Sequence, residues 1–230
     1  LVSAKFTVGN LASEENLVIS EFNYHPLEAN ESENSNNKFD RGDFEFIEIT
    51  NTEDLTISLR GVKFTQGIDF DFDSHSKIKE LQPGQQILIV KNIKAMQARY
   101  GENIANHIAG EFKNGTKLSN NGERITITGN DDQVIFSFNY SDEEPWPIGS
   151  DGDGFSNIIQ ENSNEIIPLS DSKSWTISKL PNGSPAAISL NEENYVDWIT
   201  TYLPVETAEF DESSLPNSDP DKDGFVNVAE

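Results

Sequence analysis

Residues 123–140 read ERITITGNDDQVIFSFNY. Ile125 and Ile127 alternate with polar residues on one arm, and Val134, Phe136, Phe138 and Tyr140 alternate on the other. A period of two puts alternate side chains on one face of a strand, and the polar run Gly129–Gln133 supplies a turn between the arms. The stretch predicts a β-hairpin with Val134, Phe136, Phe138 and Tyr140 facing a core.

Strand signals continue on both sides. NLVISEFNY (16–24) is rich in β-branched and aromatic residues, and FEFIEITN (44–51) carries apolar residues on both faces, as an inner strand does. In LTISLRGVKFTQG (55–67), Leu55, Ile57 and Leu59 alternate before a Gly that permits a bend. QQILIVKN (85–92) follows the turn signal Pro83-Gly84, and SWTIS (174–178) gives a late strand. Two helices are expected. NIKAMQARYG (92–101) sets Ile93, Met96 and Tyr100 on one face and stops at Gly101. SLNEENYVDWITTYLP (189–204) offers Ser189 and Glu192 as a capping box, with Tyr195, Trp198, Ile199 and Tyr202 as a docking stripe. Many short strands joined by turn residues predict an all-β sandwich with one or two short helices, and Trp146 and Trp175 are expected to be largely buried in it.

In order, LVISEFNYHP, FEFIEITN, LRGVKF, LQPGQQILIV, LSNNGERITI, PWPIGSDGDGFS and SWTIS…PNGSP resemble the lamin-tail domain as it occurs in exported bacterial proteins. The resemblance spans about Leu17 to Ala187. It implies an immunoglobulin-like β-sandwich, a binding or structural role, and no catalytic residues to carry over. The expected organisation is a sandwich over 1–187 (core about 17–187), an amphipathic helix or linker over 188–204, and an acidic tail over 205–230.

The composition bounds the function. Of 230 residues, 35% are hydrophobic and 14 are Phe, which speaks for a globular chain. No apolar run approaches the roughly 20 residues that span a bilayer. Cysteine is absent, so neither disulfides nor thiolate metal sites contribute. Leu1–Asn16 lacks the basic and apolar regions of a signal peptide, and the chain reads as a mature or excised fragment of an exported or cell-surface protein. Forty acids against sixteen bases give a formal net charge of −24, which disfavours nucleic acid.

The tail is where acids gather in order. Residues 205–230 hold eight acids and one Lys. Counted from Asp219, an EF-hand loop finds carboxylates at positions 1, 3 and 5 in Asp219, Asp221 and Asp223 and glycine at 6 in Gly224. Position 7 is the Phe225 carbonyl, position 9 Asn227, and position 12 a bidentate Glu230. Ca²⁺ takes six to eight hard oxygens, and four carboxylates this close repel unless a cation sits among them. The stretch resembles the calcium loops of thrombospondin-type-3 and dockerin-like segments; the alternative is a solvated acidic tail. The similar run from Gly149 keeps Asp151, Asp153 and Asn157 but ends in Gln160. It reads as a structural turn, with a weak metal site as the alternative.

Other constellations read blandly. Asp69, Asp71 and Asp73 in DFDFD are expected on one half-exposed strand face. Glu45 and Glu48 lie three apart, on opposite faces of a strand, as solvent-facing acids rather than a glycosidase pair. EANESENSNNK (28–38) has nothing to bury and reads as a mobile insertion. The tripeptide Arg41–Asp43 is too short to signify. His25, His75 and His107 lack ligand spacing. The expected function is a non-catalytic calcium-binding module for adhesion, anchoring or targeting, with an extracellular glycan, polymer or protein as ligand. The alternative is an accessory domain of a larger secreted hydrolase or nuclease.

Overall fold

A computed structural model describes residues 10–160 and 168–187. The predicted helix over 189–204 and the tail over 205–230 lie outside them. In chain order the strands are β1 (Asn10–Leu11), β2 (Leu17–Asn23), β3 (Phe46–Asn51), β4 (Ile57–Ser58), β5 (Lys63–Gln66), β6 (Phe70–Asp71) and β7 (Glu80–Leu81). They continue as β8 (Gln86–Val90), β9 (Ile108–Glu111), β10 (Glu123–Thr128), β11 (Val134–Tyr140), β12 (Asn157–Ile159) and β13 (Trp175–Ile177). The helices are α1 (Phe72–His75) and α2 (Ile93–Tyr100).

The architecture is an all-β sandwich. One layer is a six-stranded sheet ordered β13-β12-β2-β3-β8-β9; a four-stranded sheet β11-β10-β5-β6 and a small sheet β1-β4-β7 complete it. Alternation decides what fills the middle. Leu17, Ile19 and Phe22 of β2, Ile47 and Ile49 of β3, and Ile87 and Ile89 of β8 join Phe64, Phe70, Ile125, Ile127 and Phe138 in one buried cluster. Each such side chain contributes about 1.5–3 kcal/mol on leaving water. At one end Phe22 meets Trp175 edge-on at 4.9 Å and Tyr140 at 5.2 Å, and Trp146 stacks on Trp175. Both tryptophans are buried, as expected.

The six-stranded sheet is covered on its outer face too. β8 and β9 run parallel, and a parallel pair requires a crossover. Here α2 lies in that crossover and packs Met96, with Ile93 and Tyr100, over Phe46, Leu88, Val90 and Ile108. Asn92 caps the helix, its side chain accepting from the amides of Lys94 and Ala95. β3 is therefore buried on both faces, as its apolar run predicts.

Three expectations need correction. Val134 is 59% exposed, while Ile135 is buried. The register runs Thr128↔Val134 and then Ile127↔Phe136, so Ile135 is an extra residue in a bulge, and the alternation slips by one beyond it. Phe138 and Tyr140 keep the predicted face, and Phe136 is partly buried against the core. Leu55 is exposed, and the inward alternation begins at Ile57. The DFDFD stretch is not one strand: β6 ends at Asp71, whose side chain caps α1 by accepting from Ser74 N. Phe70 and Phe72 are buried, and Asp73 accepts from Gly61 N at 3.0 Å.

Candidate functional site

Three polar constellations stand out among the described residues. The first joins the end of β2 to the turn before β12. His25 Nδ1 lies 2.7 Å from Asp151 Oδ1, and His25 Nε2 lies 2.7 Å from Arg41 Nη1. A guanidinium only donates, so Nε2 accepts and Nδ1–H donates to Asp151. Arg41 Nε also donates to Glu28 at 3.1 Å. An imidazole acting as general base needs that second nitrogen free toward a substrate; here Arg41 holds it. Arg41 and Glu28 also line an open cleft of about 790 Å³, together with Leu27 and residues 29–32. The SDGDGF turn fits tightly against it: Gly154 sits at φ +94°, where a Cβ would collide with the Leu27 side chain. In the structure this stretch is a turn, with Asp151 paired to His25 and Asn157 buried in β12. Among the described residues, no group of three His, Asp or Glu side chains could hold a metal ion.

The second constellation corrects the reading that 28–38 has nothing to bury, although residues 31–32 and 35–38 are exposed as expected. Glu33 is buried and receives Arg99 Nε at 2.8 Å and Nη2 at 3.1 Å, while Nη2 also donates to the carbonyls of Leu27 and Glu28. The guanidinium stands 3.3 Å from the centre of the Phe44 ring. Asn30 and Glu33 exchange bonds between side chain and backbone amide, both at 2.8 Å. The insertion buries a carboxylate rather than an apolar side chain, which hydrophobicity patterns do not register.

The third is a carboxyl pair. Glu21 and Glu48 are direct cross-strand partners and are 2% and 1% exposed. Glu21 accepts from Ser156 Oγ (2.5 Å), Ser184 N (2.8 Å) and Ser184 Oγ (2.9 Å). Glu48 accepts from Ser20 Oγ (2.5 Å), Gln86 Nε2 (2.9 Å) and Ala186 N (2.5 Å). Burial pushes both carboxyls up against the pull of these donors; for Glu48 the neighbouring Glu21 adds to the rise, which reaches about 7. Glu45 points to the opposite face, as its spacing requires, and it too is buried, accepting from Leu118 N at 2.7 Å. Burial raises it to about 8. The solvent-facing expectation for Glu45 and Glu48 is thus corrected: neither faces water. Glu21, the true neighbour of Glu48, gave no signal in sequence because strand pairing is non-local.

The calcium ligands predicted from sequence, Asp219, Asp221, Asp223, Phe225, Asn227 and Glu230, lie outside the described residues.

A two-layer sandwich whose polar clusters are tied into its own backbone is the build of an immunoglobulin-like module. The model of the lamin tail domain family matches residues 10–142, more than half of the chain, and the chain belongs to that family. The family is immunoglobulin-like and non-enzymatic. The match ends before β12 and β13, which complete the six-stranded sheet beside β2. Searches of the curated proteins and of the solved structures returned no match.

Proposed function

We propose that the chain is a non-catalytic, calcium-binding module of an exported bacterial protein, serving adhesion, anchoring or the targeting of a neighbouring domain outside the cell. The observation that carries the calcium reading is the twelve-residue pattern Asp219–Glu230, in which every ligand slot of an EF-hand loop holds a fitting residue. Membership in a non-enzymatic family supports the absence of chemistry, as does the engagement of His25, Glu21 and Glu48 by hydrogen bonds within the fold. The bound ligand is a glycan, surface polymer or protein of the extracellular face.

Calorimetric titration of the 230-residue chain with calcium tests the reading. One site is expected, with magnesium a poor substitute because it demands tight octahedral geometry. Asp219→Ala combined with Asp223→Ala should abolish it; equal binding by both proteins would remove the site. The chain is expected to turn over no ester, glycoside, peptide or phosphodiester substrate.

A further inference from the structure

The segment after β13 crosses the outer face of the six-stranded sheet in two parts. Its first part is held by groups that carry no titratable proton near neutrality: Asn182 N donates to Gly154 O at 2.6 Å, and Tyr100 Oη donates to Asn182 O at 2.5 Å. Its second part, Gly183–Ala187, is held differently. Among the described residues, its hydrogen bonds to the sheet end on Glu21 (Ser184 N and Oγ) and on Glu48 (Ala186 N). Ala186 also rests on the apolar cluster of Phe46, Leu88, Val90 and Met96. Gly183 lies at φ +81°, and a Cβ there would collide with Glu21 Oε1 and Ser156 Oγ. The strap therefore seats directly on the carboxyl pair.

We propose that Gly183–Ala187 is a proton-latched strap, seated while the Glu21–Glu48 pair holds a proton and released when the pair becomes fully ionised. Two carboxylates directly opposite each other on adjacent strands repel, and in a shared buried site one proton belongs to the pair rather than to either residue. The hydrogen bonds to the pair come from neutral groups: Ser20, Gln86, Ser156, Ser184 and the Ala186 amide. From α2, Tyr100 lies near Glu21, and the neighbouring Arg99 is paired with Glu33. Among the described residues, no cationic group offsets a second negative charge on the pair.

The seated strap keeps water from the pair, and this loss of hydration outweighs the pull of its own donors, Ser184 and Ala186, so the protons are held more tightly; the released strap lets both carboxyls hydrate. Groups whose protons are held more tightly in one state stabilise that state below their ordinary range and cease to do so as pH rises through the shifted value. The seated state is therefore favoured at acid pH and weakens by about tenfold per pH unit per proton between the ordinary glutamate value and the shifted one, about 7 for Glu48. Release frees the stretch that leads into residues 188–230.

Hydrogen–deuterium exchange of the Ser184 and Ala186 amides, in chelator and corrected for the intrinsic rate, reads the latch on the intact chain without calcium. Between pH 5 and pH 8 their protection should fall on the order of 100-fold relative to the amides of β3, and Glu48→Gln should flatten that dependence. Constant protection in the natural chain, or an unchanged slope in the variant, would overturn the proposal. Should Glu48→Gln not fold, the side-chain carboxyl carbons of Glu21 and Glu48 can be titrated by NMR in the natural chain. A step near pH 7 that coincides with amide deprotection is expected, and titration of both at ordinary carboxylate pH would sink the idea. Gly183→Ala, which cannot seat the strap, should return the pair to ordinary titration.

Discussion

Arg99 shows how much one side chain can organise. Its side chain is 3% exposed and that of Glu33 6%, so removing either partner strands the other charge away from water. Arg99→Ala should cost about 3–5 kcal/mol in urea unfolding. Arg99→Met with Glu33→Leu should recover much of that loss, because a buried ion pair is worth little more than apolar groups of its own volume. A double variant no more stable than the single one would place the energy in the Phe44 contact instead. Glu45 makes a second residue-level test. Its carboxyl is raised by burial to about 8, so it favours the fold fully below the ordinary glutamate value, and that contribution is lost as pH rises toward 8. Glu45→Gln should flatten this part of the fall in stability between pH 5 and 8, read by urea unfolding at both. Neither residue announced its role in the sequence. Arg99 and Glu33 are 66 positions apart, and local patterns are silent about partners that only the fold brings together.

At the scale of elements, the hairpin β10–β11 was legible because its alternation is a local property, and so was α2, whose Asn92 cap and Gly101 stop flank a clear apolar stripe. The bulge at Ile135 was not. One inserted residue moves every side chain beyond it to the other face, and nothing in VIFSF distinguishes the two registers. The bulge gives a sharp prediction. Ile135→Ala should cost about 2–4 kcal/mol as a core truncation, whereas Val134→Ala should fall within roughly 0.5 kcal/mol; equal costs would contradict the register. The DFDFD stretch misled for a related reason. Asp71 ends the strand by capping the next turn, and an Asp that caps looks in sequence like any acid on a strand face.

For the whole molecule, sandwich and family were readable because they rest on many weak signals in a fixed order, and the match over 10–142 rests on the same order. The polar outer face was not, since Glu21, Glu48, Ser156 and Ser184 come from four distant parts of the chain. The net charge of −24 has a global consequence. Self-repulsion opposes compaction, and raising ionic strength from 0.01 M to 0.15 M shortens the screening length from about 30 Å to about 8 Å. Urea midpoints should therefore rise with sodium chloride over that range; a flat response would mean that the acids are already locally balanced.

The strap bears finally on the order in which the molecule is made. Glu21 receives its cover from a residue 163 positions later. At translation rates of about 5–20 residues per second, roughly 10–30 seconds separate the synthesis of the two. Throughout that interval the second strand carries an uncovered acid on what will become a closed face. A chain that has paired β2 with β3 before this segment docks still holds Glu21 and Glu48 in water, both free to ionise, and must take up a proton when the segment arrives. Completion of this fold is a protonation event, timed by the C-terminal end of the sandwich.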